Sequence, residues 1–194
     1  MSKFQIFMAS IAISTSAAAA PAAPAAPEAA YMGVNLSVYN DYTLECAPGT
    51  GCDRNGQGGA KLFVGYNFAQ FGVEAIAFRM GSARGLVKWP EGAAFSEGSV
   101  RQSGVGVVAV LPLSLGDVTV KGKLGIAYAR GVVAYAYGFH DANESLTPLI
   151  GVGINYAVTK TISASLDCDQ LTVKYNAQGK ARATLISAGL SYRF

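Results

Sequence analysis

The chain has 194 residues, of which 51% are hydrophobic and 14% are charged, and its formal net charge is +3 at pH 7. This composition excludes a disordered chain, which would be rich in charge and poor in aromatic residues, and the small net charge gives no indication of nucleic-acid binding. Mean hydropathy is +0.29, yet beyond the N-terminus no run reaches the roughly 18 apolar residues that identify a membrane helix.

Residues 1–20 have the layout of a secretory signal peptide. One basic residue, Lys3, precedes an apolar run of about ten residues, and small residues follow from Ser16 to Ala20. A helix that stays in the membrane would need about twenty apolar residues. We therefore predict a signal peptide at 1–19, cleaved near residues 18–20, an Ala/Pro-rich tether at 20–30, and one folded domain at 31–194.

The cysteines fit an exported protein. Cys46 and Cys52 lie in a stretch rich in Gly, Pro and Asn, and in an oxidising compartment such a pair indicates a disulfide that closes a small loop. A metal site would need further Cys or His ligands nearby, and none is present, so we expect neither a metal nor a cofactor. Cys168 falls within a predicted strand, where it is interpreted as a small apolar residue.

From residue 31 onward, apolar and polar residues alternate with a period of two, which indicates strands. Eight segments show this pattern, at 32–40, 61–68, 71–78, 104–111, 118–128, 150–156, 162–169 and 186–194. Short connections are expected near 69–70, 114–117 and 159–161. Long connections are expected near 43–58, 83–99, 131–147 and 175–181. An even number of strands with alternating short and long connections predicts an all-β fold, an eight-stranded antiparallel up-and-down transmembrane β-barrel.

One face of the predicted strands is apolar, and the other carries charges of both signs. The charged residues are Lys61, Glu74, Lys121, Lys123, Asp167, Asp169 and Arg193. A soluble barrel would turn its apolar face inward to hold an apolar ligand. Because the interior of an eight-stranded barrel is only wide enough for side chains to fill, we instead expect lipid on the apolar face. The lumen would then contain a salt-bridged charge network of Lys61, Glu74, Lys121, Lys123, Asp167 and Asp169.

Aromatic residues concentrate at the predicted strand ends. Near the short connections these are Phe68, Phe71, Tyr156, Tyr192 and Phe194. Tyr42 and Tyr128 lie toward the long connections. The pattern predicts the two interfacial girdles of a membrane barrel, and aromatic residues scattered through a core are the alternative.

The chain ends in Ser187-Ala-Gly189-Leu-Ser-Tyr192-Arg-Phe194, which resembles the terminal strand of outer-membrane proteins. In that family the barrel-assembly machinery reads this strand, so the resemblance implies an assembly signal at Ser187, Gly189, Tyr192 and Phe194. Segment 59–75 also resembles the second hairpin of the OmpA-like transmembrane domain, with Glu74 at its inward glutamate. The chain stops at Phe194, so we expect no periplasmic peptidoglycan-binding domain, and in size it is closer to small OmpX-like or Ail-like barrels.

The resemblance implies an integral protein of the outer membrane of a Gram-negative bacterium, in contact with outer-membrane lipid and lipopolysaccharide. Both termini would be periplasmic and the long loops extracellular. We expect a non-enzymatic structural or surface-exposed protein whose lumen is largely plugged by salt-bridged side chains and whose loops contact a host or phage surface ligand. In the third long connection, Tyr135, Tyr137 and Phe139 either present their rings to such a partner or pack together over the barrel mouth.

Two other functions stay open. A lipid A-modifying enzyme in the same barrel would need a His acting with a Ser near the outer leaflet. His140 is the single His of the chain and lies near Ser145, but the His-x-Ser spacing of such deacylases is absent because residue 142 is Ala. A weak, narrow pore would require the lumen salt bridges to rearrange.

Overall fold

The computed structural model describes residues 28–44, 53–88, 95–135, 138–175 and 180–194. They form eight strands: β1 (Ala29–Tyr42), β2 (Asp53–Asn67), β3 (Gly72–Lys88), β4 (Phe95–Leu115), β5 (Val118–Tyr135), β6 (His140–Ala157), β7 (Ile162–Lys174) and β8 (Lys180–Arg193). Each strand pairs antiparallel with the next, and β1 pairs with β8, so the sheet closes into a barrel. The predicted fold class is confirmed. The predicted signal peptide, most of the tether, and both Cys46 and Cys52 lie outside the described residues.

The outer surface of the barrel is apolar and the inner surface carries the charges. Successive side chains of a strand point to opposite faces, and in β2 from Lys61 to Asn67 the even-numbered positions point outward while the odd-numbered ones point inward. Thus Leu62 is 57% exposed, whereas the neighbouring Lys61 is 1% exposed. This polarity is that of a barrel in lipid, where closure leaves no unpaired backbone in the hydrocarbon. Separately, the described residues include no helix that could cross a membrane.

The two ends of the barrel differ. At one end, here called the turn end, short connections join β2 to β3, β4 to β5 and β6 to β7. The Gly116 turn adopts φ 66°, in the left-handed region that glycine tolerates best. The chain terminus lies at this end, since the Phe194 amide donates to the Ala30 carbonyl at 3.0 Å. The opposite end, here called the loop end, carries the remaining connections.

The hairpins extend farther toward the loop end than the sequence pattern predicts. The expected long connections at 83–99 and 131–147 are wrong in extent, because β3 continues to Lys88 and β5 continues to Tyr135. Backbone pairing persists up to Ala134↔His140. In β3 the register against β4 shifts between Arg79 and Ala83, which interrupts the alternation. In β5 beyond Arg130 both faces are apolar, with Val132 and Ala134 outward and Val133 and Tyr135 inward, so the alternation carries no signal there.

A β-bulge in β1 changes which residues face outward. The register against β8 shifts between Ser37 and Tyr39, and an extra residue in a strand turns all later side chains to the other face. Tyr42 is therefore fully buried inside, where its hydroxyl donates to the Gly81 carbonyl at 2.9 Å. Its predicted place in the outer aromatic girdle is wrong, whereas Tyr128 does point outward and is half-exposed.

Candidate functional site in the barrel lumen

Six ionisable side chains converge in the lumen near the middle of the barrel. They come from four strands: Lys61 on β2, Glu74 on β3, Lys121 and Lys123 on β5, and Asp167 and Asp169 on β7. None of them is more than 5% exposed. Each occupies an inward position of the strand alternation, and together they provide three cations and three anions. The structure thus brings together all six residues of the predicted charge network.

The six groups form one continuous chain of ion pairs. Lys121 Nζ lies 3.3 Å from Glu74 Oε1, and Lys123 Nζ lies 3.2 Å from Glu74 Oε2. Lys123 Nζ also reaches Asp167 Oδ1 at 2.9 Å, so this lysine joins the two halves of the network. The Nζ of Lys61 lies 2.6 Å from Asp167 and 2.5 Å from Asp169. Every buried charge therefore has an opposite charge in contact, as burial requires.

Uncharged side chains add hydrogen bonds to two of the carboxylates, Glu74 and Asp167. The Tyr31 hydroxyl donates to Glu74 at 2.8 Å, and Lys121 Nζ lies 4.4 Å from the centre of the Tyr31 ring. The Asn35 amide donates to Asp167 at 2.9 Å and accepts from the Ser165 hydroxyl at 2.7 Å. Sequence reasoning missed Tyr31, Asn35 and Ser165 because they carry no charge, although their odd-numbered positions share the inward face.

Two glycines of β6 make room for the aspartates. Gly153 pairs with Asp167 and Gly151 pairs with Asp169 across the β6–β7 ladder. A Cβ atom at Gly153 would overlap Asp167 Oδ1, and one at Gly151 would overlap Asp169 Oδ1. These glycines therefore have a steric role at the charge network, in addition to the strand curvature expected of glycine in a barrel.

The network lies between two different regions of the lumen. On the loop-end side, the interior is packed with fully buried side chains that include Tyr42, Met80, Val100, Gln102, Val133 and Leu185. On the turn-end side, a cavity of about 260 Å³ is lined by residues that include Tyr31, Lys121, Asn155 and Arg193. Arg193, which the sequence pattern placed on the charged face, thus lies at the cavity and outside the ion-pair network.

The residues of the predicted assembly signal lie on both faces of the C-terminal strand. Ser187 is fully buried in the lumen. At Gly189 a Cβ atom would overlap the Val34 carbonyl of the neighbouring strand. Tyr192 and Phe194 point outward at the turn end, where their rings pack edge to face with centroids 5.2 Å apart. The C-terminal strand thus has apolar and aromatic side chains on its outward face and small residues on its inward face.

The aromatic trio of the third long connection does not form one exposed surface. Tyr135 is 5% exposed because it occupies an inward position at the end of β5, whereas Phe139 is 63% exposed beside Gly138. The alternative in which Tyr135 presents its ring to a partner is therefore wrong. Tyr137 lies outside the described residues.

The two residues considered for lipid A chemistry do not meet. His140 and Ser145 both belong to β6, and they occupy opposite faces of the strand because they are an odd number of positions apart. At about 3.4 Å per residue, their Cα atoms are about 17 Å apart. Within the described part of the chain, no group of His, Cys, Asp and Glu side chains has the geometry to hold a metal ion.

Comparison with known proteins agrees with this architecture. The chain matches the family described as outer membrane protein beta-barrel domain over residues 9–194. It is 29% identical over 156 residues to outer membrane protein A of Serratia marcescens, and the match covers 75% of this chain and 42% of that protein. The chain therefore spans less than half the length of this relative.

Solved structures show the same fold at low sequence identity. Neisserial surface protein A has a TM-score of 0.61 and 14% identity, with 85% of this chain and 97% of that chain covered. Ail, the attachment invasion locus protein of Yersinia pestis, has a TM-score of 0.54 and 15% identity, with coverage of 87% and 100%. The resemblance seen in the sequence is confirmed, and the chain belongs to the outer membrane protein beta-barrel domain family.

Proposed function

We propose that this protein is a non-enzymatic, surface-exposed barrel of the outer membrane, with its loop end outside the cell and its turn end in the periplasm. In this proposal the charge network is a structural plug of the lumen. The main support for this proposal is that all six charges in the lumen are in ion pairs, and that none of the six residues is more than 5% exposed.

Complete pairing favours a plug over a conducting pore. A permeant ion needs charged or polar groups that it can contact and then leave, and here each charged group already contacts an opposite charge within 3.3 Å. Removing one partner of a buried ion pair costs about 3–5 kcal/mol, so spontaneous opening of this network is unfavourable. The packed side chains on the loop-end side add a second barrier.

The placement of His140 favours a non-enzymatic role. This residue is exposed at the loop end, and Ser145 faces the lumen on the other side of the same strand. General acid–base catalysis requires the two groups to be within hydrogen-bond reach of each other or of one water molecule. The spacing within β6 prevents this.

The loop end is proposed as the surface that meets a host or phage ligand. Strands β5 and β6 continue past the apolar band and end in a hairpin whose tip carries the exposed Phe139. Rigid strands that position an exposed tip are a common way to present binding residues. The assembly machinery would contact the outward Tyr192 and Phe194 at the opposite end during biogenesis.

Epitope insertion tests the orientation. A short epitope placed after Gly138 lies at the loop end, and the matched insertion after Lys160 lies in an exposed connection of the turn end. We expect antibody to bind the Gly138 insertion on intact cells, and the Lys160 insertion only after the outer membrane is permeabilised. The opposite pattern would reverse the proposed orientation, and binding of both insertions only after permeabilisation would exclude surface exposure.

A further inference from the structure

The cavity at the turn-end side of the lumen, called the turn-end cavity below, is large enough for a small molecule. It has a volume of about 260 Å³. Space of this size holds roughly eight water molecules at about 30 Å³ each, or an organic ion with a similar number of non-hydrogen atoms. The exposed β4–β5 turn at Gly116 and Asp117 contributes to its lining, so the cavity is open to the solution at the turn end.

The inner wall of the turn-end cavity is part of the charge network. Lys121 is 4% exposed, and its Nζ lies 3.3 Å from Glu74 Oε1. The Asn155 side-chain oxygen accepts from the same Nζ at 3.2 Å when the amide nitrogen is turned toward the Ile154 carbonyl. Glu74 also pairs with Lys123, at 3.2 Å, so one carboxylate is shared by two ammonium groups. Lys121 therefore has no carboxylate of its own.

Arg193 adds a cation that the network does not balance. The six network residues have equal numbers of positive and negative charges, and among the ion pairs of the described residues none involves Arg193. Arg193 pairs in register with Tyr31, whose ring centre lies 4.4 Å from Lys121 Nζ, so both cations are close to Tyr31. Of the described residues that line the cavity, Asp117 is the single acidic one, and it is exposed.

Uncharged polar groups make up much of the remaining wall. Asn67 lines the cavity and is 8% exposed, and its Oδ1 has no hydrogen-bond partner in the part of the chain that the structure describes. Buried polar atoms of proteins almost always have a partner, so this unused amide oxygen indicates that a polar molecule occupies the cavity. Hydroxyl groups line it as well, those of Ser114, Thr119, Ser163 and Ser191.

We propose that the turn-end cavity binds a small oxyanion, a carboxylate or a phosphate, that enters from the solution at the turn end. A guanidinium group such as that of Arg193 binds both kinds of anion through paired hydrogen bonds. Lys121 adds positive charge at the inner wall, and the hydroxyl groups can donate to the remaining oxygens of the anion. One surplus cation beside a neutral network favours an anion over a cation. The binding goes beyond the proposed function and does not depend on the orientation of the barrel in the membrane.

The turn end offers matched controls for charge and for volume. Lys160 is an exposed cation of the β6–β7 connection and does not line the cavity, in contrast to Arg193. Ala157 lines the cavity, whereas the next residue, Val158, is 56% exposed and does not.

The test is a titration of the purified, folded barrel in neutral detergent, followed by NMR of its backbone amides. The probes are sodium phosphate, sodium succinate and, as a cation of similar size, putrescine. We expect saturable shifts near Gly116 with the anions and none with putrescine. Saturation by succinate alone would identify a carboxylate site, and saturation by phosphate alone a phosphate site.

The variants test which residues hold the anion. Arg193→Gln should weaken binding about tenfold, which corresponds to the loss of one hydrogen bond to a charged group. Lys160→Gln should change binding less than about twofold, since exposed charges contribute little. Asp117→Asn should strengthen binding, because it removes a like charge. Ala157→Phe should abolish binding by filling the cavity, and Val158→Phe should not. A heat-dependent gel shift verifies that each variant is folded.

Four results would overturn the assignment. The first is the absence of a saturable shift with either anion up to about 10 mM, where a site with a millimolar dissociation constant is largely filled; the cavity would then hold water only. The second is equal binding of putrescine. The third is an equal loss in Lys160→Gln, which would indicate a general charge effect. The fourth is a folded Ala157→Phe variant that binds as the wild type does, which would place the anion elsewhere.

Discussion

The substitution Lys123→Met tests the lumen network most directly, because Lys123 forms ion pairs with both Glu74 and Asp167. Its removal leaves Glu74 with Lys121 as its one ion-pair partner, at 3.3 Å, while Asp167 keeps Lys61. Three buried anions then face two cations. We expect a loss of about 3–5 kcal/mol in the free energy of unfolding, the usual cost of removing one partner of a buried pair. Lys160→Met, in an exposed turn, should change stability by less than about 0.5 kcal/mol.

The double variant Lys123→Met with Asp167→Asn tests whether pairing itself is responsible. It removes one charge of each sign and leaves two separate ion pairs, Lys121 with Glu74 and Lys61 with Asp169. We expect the double variant to be more stable than the sum of the two single effects predicts, by about 1–3 kcal/mol. Urea unfolding of barrels refolded in lipid vesicles, followed by the gel shift, measures these differences. Additive effects, or a Lys123→Met cost equal to that of Lys160→Met, would refute the reasoning.

Three further predictions concern the lumen and the loop end. Gly153→Ala should destabilise the barrel by about 1–3 kcal/mol, because the added Cβ overlaps Asp167. Gly122→Ala is the control, since a Cβ there meets no atom within 4 Å, and it should not destabilise the barrel. Equal unfolding curves for the two variants would contradict the steric role of Gly153. Folded wild-type barrels should carry no steady ion current in planar bilayers, because the charge network and the packed loop-end side chains both block the lumen; a steady conductance of the folded wild type would contradict the plug. His140→Ala should leave the lipid A mass spectrum of the cells unchanged, and a new lipid A species would restore the enzymatic alternative.

Between the register shifts, the faces of the strands could be predicted from sequence because odd and even positions alternate between the two faces. Lys61, Glu74 and Asp167 occupy inward positions in an alternation of period two, and a closed eight-stranded barrel leaves those positions little space except the lumen. Which charges touch could not be predicted in detail. Pairing across the lumen depends on strand register and tilt, so nothing local in the sequence indicates that Lys123 lies between Glu74 and Asp167.

The uncharged partners of the carboxylates and the ends of the strands could not be predicted from the sequence pattern, for different reasons. Tyr31 and Asn35 contribute hydrogen bonds to carboxylates more than 40 residues away in the chain, and an uncharged residue gives no electrostatic signal. The bulge in β1 turns Tyr42 inward without any glycine or proline to mark it. A register shift hides the continuation of β3, and apolar residues on both faces hide that of β5 beyond Arg130.

The most direct test of the central claim is a fractionation of cells followed by gel electrophoresis of unboiled and boiled samples. A closed barrel with an apolar exterior and buried, ion-paired charges in its lumen predicts a protein in the outer-membrane fraction. Such a protein should resist unfolding in detergent and migrate differently before and after boiling. A protein found among soluble components, with one mobility under both conditions, would contradict the account.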